Sequence, residues 1–302
     1  MRPAWGLVTV AVVTTDPDAQ RSILITGCSS GIGHAAAHAL VKRGWRVFAT
    51  ARAQRDVDRL RDEGLTDALR LDLARSASID SAVETVLERT SGQLAALFNN
   101  GAYGQPGAVE DLSRKTLRTQ LETNLLGTHE LTTRILPVMR RQGHGRIVQN
   151  SSVLGFVALP YRGAYNCSKY ALEGLTDTLR QELIGTGIHV SLIQPGPITS
   201  RFRENAHRAF KAHIDAERSA HAETYRAVEA RLAGGGPPAP FTLGPEAVVA
   251  KLIHALESPR PKARYPVTVP TYLFAFLKRL LTTRALDRLL LASTARERRL
   301  EE

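Results

Sequence analysis

The chain has 302 residues, 43% of them hydrophobic, which suits one large α/β domain with additions. Its two cysteines, Cys28 and Cys167, argue against a disulfide framework or a cysteine zinc site and for a reducing compartment. The net charge is +11, and the excess lies late: Arg260, Lys262, Arg264, Lys278, Arg279, Arg284, Arg288, Arg296, Arg298 and Arg299 face only Asp287, Glu297, Glu301 and Glu302. These bases alternate with apolar residues rather than base-stacking aromatics, and no nucleic-acid motif accompanies them, so no nucleic-acid partner is expected. Attraction for an anionic cofactor or lipid surface fits them better. No apolar run reaches the ~18–20 residues of a membrane span, and a cytoplasmic location is expected.

Residues 1–20 carry an apolar run from Trp5 to Val13, preceded only by Arg2 and followed by no small-x-small cleavage site. They read as a disordered leader, or better as a start assigned too early, with the native chain beginning near Val13. The strand Ser22–Thr26 then enters Gly27-Cys28-Ser29-Ser30-Gly31-Ile32-Gly33, and an alanine-rich helix follows. Glycines between a buried strand and a helix permit a tight turn and close backbone approach. The helix N-terminus offers free amides to a pyrophosphate.

The second strand ends at Ala51-Arg52. A site for NAD is expected to place an acid about twenty residues past the glycine turn, on the ribose hydroxyls. Here an alanine and an arginine stand instead, and arginine pairs bidentately with phosphate, so the 2′-phosphate of NADP(H) is the expected partner. A third strand around ALRLDL, a helix near Ser78–Arg89 and a fourth strand ending at Asn99-Asn100-Gly101-Ala102 continue the alternation. One helix is expected over roughly Lys115–Arg141, carrying Asn124 at its middle, where asparagine is mildly unfavourable.

The strand RIVQNSS ends at Ser152, and thirteen residues later Tyr165 and Lys169 stand four apart in a helical run. That spacing puts both side chains on one helix face. An ammonium there is expected to favour the phenolate and bring the tyrosine down from ~10, suiting the pair to acid–base work. Ser152 is placed to hydrogen-bond the oxygen of a carbonyl or alcohol. A sixth strand, IHVSLIQ, leads into Pro195-Gly196-Pro197-Ile198-Thr199-Ser200.

Residues 201–240 break the rhythm with a polar helical excursion closed by a Gly/Pro hinge. His207, His213 and His221 read as solvated helix positions, no histidine shows a metal spacing with nearby carboxylates, and no metal is expected. A helix from Pro245 to Glu257 and a strand ARYPVTV complete the sheet. In Thr271–Leu291 the charges scatter around one long helix but sort onto one face each when it is split at Thr282-Thr283. Tyr272, Leu273, Phe276, Leu277, Leu280 and Leu281 then share one apolar face, and Ala285, Leu286, Leu289 and Leu290 another. These faces are expected to wall an apolar pocket beside the lid; peripheral docking on an anionic membrane is the second expectation.

The Ser152 and Tyr165-Asn166-Cys167-Ser168-Lys169 set, with the Gly-x-x-x-Gly-x-Gly turn, resembles the short-chain dehydrogenase/reductase family over roughly residues 21–270. The resemblance implies an α/β, Rossmann-type doubly wound parallel sheet. It forms a single domain at 21–270, with a substrate lid at 201–240 and C-terminal amphipathic helices with a basic tail at 271–302. TGCSSGIG, Ala51-Arg52 and FTLGPEAV…RYPVT resemble the branch holding 17β-hydroxysteroid dehydrogenases, retinol dehydrogenases and bacterial NADP-dependent aldehyde reductases. By this resemblance Gly27, Ser29, Ser30, Gly31, Ile32, Gly33, Arg52, Asp72, Leu73, Asn99, Gly101, Pro195, Gly196, Ile198 and Thr199 bind NADP(H), together with Tyr165 and Lys169.

The same resemblance makes Asn124, Ser152, Tyr165 and Lys169 catalytic. The matching asparagine breaks its helix and holds a water bridging to the lysine. Hydride passes between nicotinamide and a carbonyl or alcohol carbon of a small molecule, with Tyr165 giving the proton. Apolar aldehydes or ketones are the expected substrates, with steroids or retinoids as alternatives, and a homo-oligomer is expected. The family's usual Asn-Asn-Ala-Gly is Asn-Asn-Gly-Ala here, which questions any need for glycine dihedrals at 102. A non-catalytic NADP(H) sensor and a nucleic-acid-binding C-terminus are the rival readings, and the intact Asn-Ser-Tyr-Lys set argues against the first.

Overall fold

The computed structural model describes residues 21–234 and 239–295. The readings made on the leader, on the centre of the Gly/Pro hinge and on the tail beyond 295 lie outside these residues. Strands β1 (Ser22–Ile25), β2 (Arg46–Ala51), β3 (Leu69–Arg70), β4 (Ala96–Asn99), β5 (Gly145–Asn150), β6 (Ile188–Gln194) and β7 (Arg264–Pro266) form one sheet in the order 3-2-1-4-5-6-7. Every pairing is parallel, with Ile23 opposite Val47 on one side and Ala96 on the other. All four residues of β1 are fully buried, the reason Ile23, Leu24 and Ile25 run apolar without alternation.

The helices are α1 (Gly31–Val41), α2 (Gln54–Asp62), α3 (Ser76–Arg89), α4 (Arg114–Leu121), α5 (Gly127–Gln142), α6 (Gly163–Glu182), α7 (Phe202–His213), α8 (Ala222–Leu232), α9 (Glu246–Glu257), α10 (Val269–Leu280) and α11 (Thr283–Ser293). Successive strand residues point to opposite faces. Ile23 and Ile25 therefore pack with Leu40 of α1, Leu60 of α2 and Leu252 of α9. Leu24 packs on the other face with Ile79 of α3 and Leu131 and Ile135 of α5. The winding reverses between β1 and β4, which opens a crevice over their carboxyl ends.

The single helix expected over Lys115–Arg141 is instead α4 and α5 joined by a π-helical turn, Glu122–Leu126, with buried Asn124 in it. Such widened turns gather at functional sites. At the C-terminus the chain breaks where its charge pattern changes: α10 stops at Leu280, and the Thr282 side chain accepts from the Ala285 N–H to cap α11. Leu290 of α11 is buried against Leu154 and Val157, so this helix backs the wall of the crevice that Leu154 lines, and Thr294 just past its end reaches that lining. Tyr272, Leu273, Phe276 and Leu280 of α10 stay exposed, at 48–65% of their full area.

The histidines of the excursion are not simply solvated. His213 Nδ1 is 2.7 Å from Gln105 Oε1, His221 is bonded to Glu110 and Tyr161, and His207 lies 3.4 Å from Glu229. Tyr225 donates its hydroxyl to Asp111 and accepts the Ala108 N–H at 2.8 Å. Helical periodicity could not show these partners, because most of them lie on the 105–111 segment, about a hundred residues away. A second correction lies on α1. His34 and His38, four residues apart, converge on Glu63 at the end of α2.

Candidate active site

A cleft of about 580 Å³ lies over the carboxyl ends of β1, β4, β5 and β6. Its floor is the glycine turn. Gly27 (φ 71°) and Gly31 (φ 60°) have left-handed backbone that favours glycine. A Cβ on Gly27 would lie 2.8 Å from the Gly101 Cα, and one on Gly33 only 2.3 Å from the Gly27 carbonyl oxygen. Ser30 precedes α1 without capping it through its side chain, so the first-turn amides of α1 face the cleft beside Ser29 and Ile32. A bare helix N-terminus behind a glycine cradle fits a pyrophosphate.

Arg52 stands exposed past the end of β2, outside the cleft's lining, and its carbonyl accepts from Arg70 Nε at 3.2 Å. Burial holds the Tyr103 phenol above its ordinary range, and the nearby Arg52 charge opposes that. The Tyr103 hydroxyl is buried with no hydrogen-bond partner among the described residues. Asp72 borders a separate hollow with Arg70 and Arg75; its Oδ1 accepts the Ala74 N–H at 3.1 Å. The Leu73 side chain lies against Gly101, 3.3 Å from where a Cβ would stand.

Asn99 faces inward and donates to Thr132 Oγ1 at 2.9 Å, tying β4 to α5. Its neighbour Asn100 reaches the cleft, donating to the carbonyls of Thr26 and Gly27 and accepting from Asn150 Nδ2 at 2.9 Å. The doubled asparagine in the sequence is the signal for this division of labour, since adjacent strand residues face opposite ways. Gly101 donates its N–H to Thr26 Oγ1 at 2.7 Å. Ala102 has no left-handed backbone, so exchanging glycine for alanine there costs no strain.

Ser152, Tyr165 and Lys169 meet on the opposite wall. The Ser152 hydroxyl accepts the Leu154 N–H at 3.1 Å and hydrogen-bonds the Tyr165 phenol. Lys169 is 3% exposed and donates from Nζ to the Asn150 carbonyl at 2.6 Å. That ammonium sits 5.7 Å from the centre of the Tyr165 ring. Burial pulls Lys169 down to about 8, and the Glu173 charge one turn further along opposes this. Burial likewise pushes Tyr165 up to about 12, opposed by the Ser152 hydrogen bond. The expected fall in the tyrosine's pKa is therefore reversed. Desolvation disfavours both charged forms, and the lysine is directed at a carbonyl rather than at the phenol oxygen.

Asn124 reaches α6 one residue short of Lys169. Its Nδ2 donates to the Tyr103 carbonyl at 2.8 Å and to Ser168 Oγ at 3.3 Å, while its Oδ1 accepts the Tyr103 N–H. The fourth wall is the segment after β6. Gly196 backs onto Thr268, whose Oγ1 would lie 2.1 Å from a Cβ there. Ile198 bridges to Leu243, and Thr199 donates its N–H to the Leu243 carbonyl at 2.9 Å. Phe202, at the start of the lid, packs edge-on to Tyr165 with ring centres 5.3 Å apart. Neither Phe202 nor Glu173 stands out in the sequence, because each matters only through the side chain it faces.

Residues 21–210 match the family model for short chain dehydrogenases. The chain is 44% identical over 271 residues to YbbO of Escherichia coli K12, an uncharacterized oxidoreductase, covering 90% of this chain and 94% of that one. Against human 17-beta-hydroxysteroid dehydrogenase type 1 it is 32% identical over 262 residues, 83% of this chain and 78% of the relative. A crystal structure of a short-chain dehydrogenase from Streptomyces avermitilis aligns with a TM-score of 0.72 at 27% identity, covering 93% and 99% of the two chains. The parallel sheet, the glycine cradle and the Ser-Tyr-Lys wall agree with this likeness, and the chain belongs to the short-chain dehydrogenase/reductase family of oxidoreductases.

Proposed function

We propose that this oxidoreductase reduces apolar aldehydes or ketones at the expense of NADPH. One observation carries the reading. The Tyr165 phenol, hydrogen-bonded to Ser152 and flanked by the buried Lys169, opens into a cleft with apolar outer walls that include Leu154, Leu159, Phe202 and Leu232.

The nicotinamide, when bound, supplies the hydride. Ser152 donates a hydrogen bond to the carbonyl oxygen and polarises it. Tyr165 gives its proton to the alkoxide as charge develops there. Without its proton Tyr165 would be a phenolate in a site that burial makes hostile to charge, and the Lys169 ammonium, 5.7 Å from the ring centre, offsets part of that cost through space rather than by a direct hydrogen bond. Asn124 is a positioning residue, since it pins the Tyr103 backbone and the Ser168 turn of α6. Ala51 offers no carboxylate to a ribose and Arg52 offers a guanidinium, which supports NADP(H) over NAD(H).

A steroid or retinoid carbonyl is the second reading, supported by the likeness to the human 17-beta-hydroxysteroid dehydrogenase and by the apolar walls of the cleft. Exposed Tyr272, Leu273, Phe276 and Leu280 beside Arg279 support contact with an anionic lipid surface, where such substrates dissolve.

The test is steady-state oxidation of NADPH and NADH with aliphatic aldehydes, retinal and keto-steroids, repeated with Arg52→Ala. NADPH is expected to be preferred, and the variant to lose about 2 kcal/mol of NADPH binding. Equal turnover with both cofactors in the unaltered enzyme would remove the NADP assignment. Absence of turnover on every carbonyl would remove the reductase reading.

A further inference from the structure

Behind the glycine turn, α1 and α2 meet in a cluster that the reaction does not use. His34 and His38 stand one turn apart on α1, so both imidazoles project from one face. Glu63, at the C-cap of α2, reaches across to them. His34 Nε2 is 2.6 Å and His38 Nε2 3.1 Å from the same carboxylate oxygen, Oε2. The two rings meet edge to face with centres 4.5 Å apart, and one ligand atom from each of the three residues lies within 4.8 Å of the others. Their side chains are about one-third exposed, at 36%, 31% and 32%, so an ion has access from solvent and water can complete its coordination.

We propose that His34, His38 and Glu63 form a binding site for one divalent transition-metal ion, zinc or nickel in character, which ties α1 to α2. Two imidazoles and one carboxylate form a donor set suited to Zn²⁺, Ni²⁺ or Cu²⁺, whereas Mg²⁺ and Ca²⁺ prefer oxygen alone. Bonds of about 2.0–2.2 Å at tetrahedral angles hold ligand atoms roughly 3.3 Å apart. The separations present, from 2.6 Å to at most 4.8 Å, bracket that value, so small side-chain rotations complete the site. Both rings already aim Nε2 at one point. They bind as neutral imidazoles, with the remaining ring proton on Nδ1.

The site also has a structural reach. Arg59 lies 3.5 Å from Glu63 Oε1 and donates to the Ser29 carbonyl of the glycine turn at 2.5 Å. A metal here braces the two helices that flank that turn.

The experiment uses the full chain without a polyhistidine tag, stripped with EDTA and free of nucleotide, whose phosphates would chelate. Calorimetric titration with ZnCl₂ and NiCl₂ is expected to show one site per chain. Saturation, at ~100-fold excess over Kd, is expected to raise the melting temperature by about 5 °C, and MgCl₂ to do neither. His34→Gln and His38→Gln keep a polar group near Glu63, so each is expected to fold while binding zinc at least tenfold more weakly. Zinc uptake unchanged in both variants, through other histidines or the exposed Cys167, overturns the proposal. So does no uptake by the unaltered protein. Should the variants not fold, the Cu²⁺ electron paramagnetic resonance spectrum of the unaltered protein decides. Two equatorial nitrogens support the site, and one or none overturns it.

Discussion

Glu173→Gln isolates the electrostatic support of Lys169, whose ammonium the proposed reaction uses. Glu173 follows Lys169 by one turn of α6 and is 7% exposed. Its Oε1 accepts from Gln194 Nε2 at 3.0 Å, and its Oε2 lies 3.2 Å from Arg264. Burial draws Lys169 down to about 8 even with the Glu173 charge opposing it. Opposite charges about 6 Å apart, at an effective dielectric of about 20, attract by about 3 kcal/mol, or roughly two pH units. Arg264 beside the same carboxylate offsets part of this, so removing the charge is expected to lower Lys169 by about one further unit. Glutamine keeps the volume and the acceptor for Gln194. If protonated Lys169 is the working form, kcat/KM falls on the alkaline side near pH 8 in the unaltered enzyme and near about 7 in the variant. The variant is then about threefold slower at about pH 7.5 and nearly equal at about pH 6, as one-proton titration requires. The assay is NADPH oxidation at limiting carbonyl from about pH 5.5 to 9.5. An alkaline limb left in place, or a uniform loss at every pH, would refute the reasoning.

Three further outcomes follow from the geometry. Lys169 titrates at about 8 when folded but near ~10.4 when unfolded, so its charge costs the fold up to about 3 kcal/mol below pH 8, and that cost fades as pH rises toward 10.4. Lys169→Met is therefore expected to melt at or above the unaltered temperature at neutral pH while losing activity; a melting point lowered by several degrees contradicts this. Gly33→Ala sets a methyl group 2.3 Å from the Gly27 carbonyl, so NADPH affinity measured by fluorescence titration is expected to fall at least tenfold. Leu290→Asp is expected to detach α11 from Leu154 and Val157 and raise KM for long-chain aldehydes far more than for short ones. Unchanged KM values would remove α11 from the substrate wall.

The sheet was legible in the sequence because its strands are short, apolar and punctuated by glycine, proline and asparagine. The break at Thr282 was legible too, since only a split sorts Lys278, Arg279, Arg284, Asp287 and Arg288 onto coherent faces. The Tyr165 and Lys169 spacing correctly placed both on one helix face. It could not give the sign of the tyrosine's shift, which depends on burial and on the Asn150 carbonyl that takes the ammonium. The His213 and His221 contacts and the meeting of His34 and His38 with Glu63 were hidden for one reason. Each joins residues from different elements, and one-dimensional periodicity carries no information about which faces oppose one another. Asn124 lies between these cases: its composition signalled an anomaly in the helix, and only the fold shows the π-helical turn.

The central claim is that Tyr165 transfers the proton, and Tyr165→Phe tests it most directly. Phenylalanine keeps the ring against Phe202 and removes only the hydroxyl that Ser152 holds. Single-turnover reduction of an aldehyde by saturating NADPH, measured beside NADPH affinity, is expected to slow by about 10²-fold or more with affinity nearly unchanged. Turnover within a few-fold of the unaltered enzyme would contradict the account.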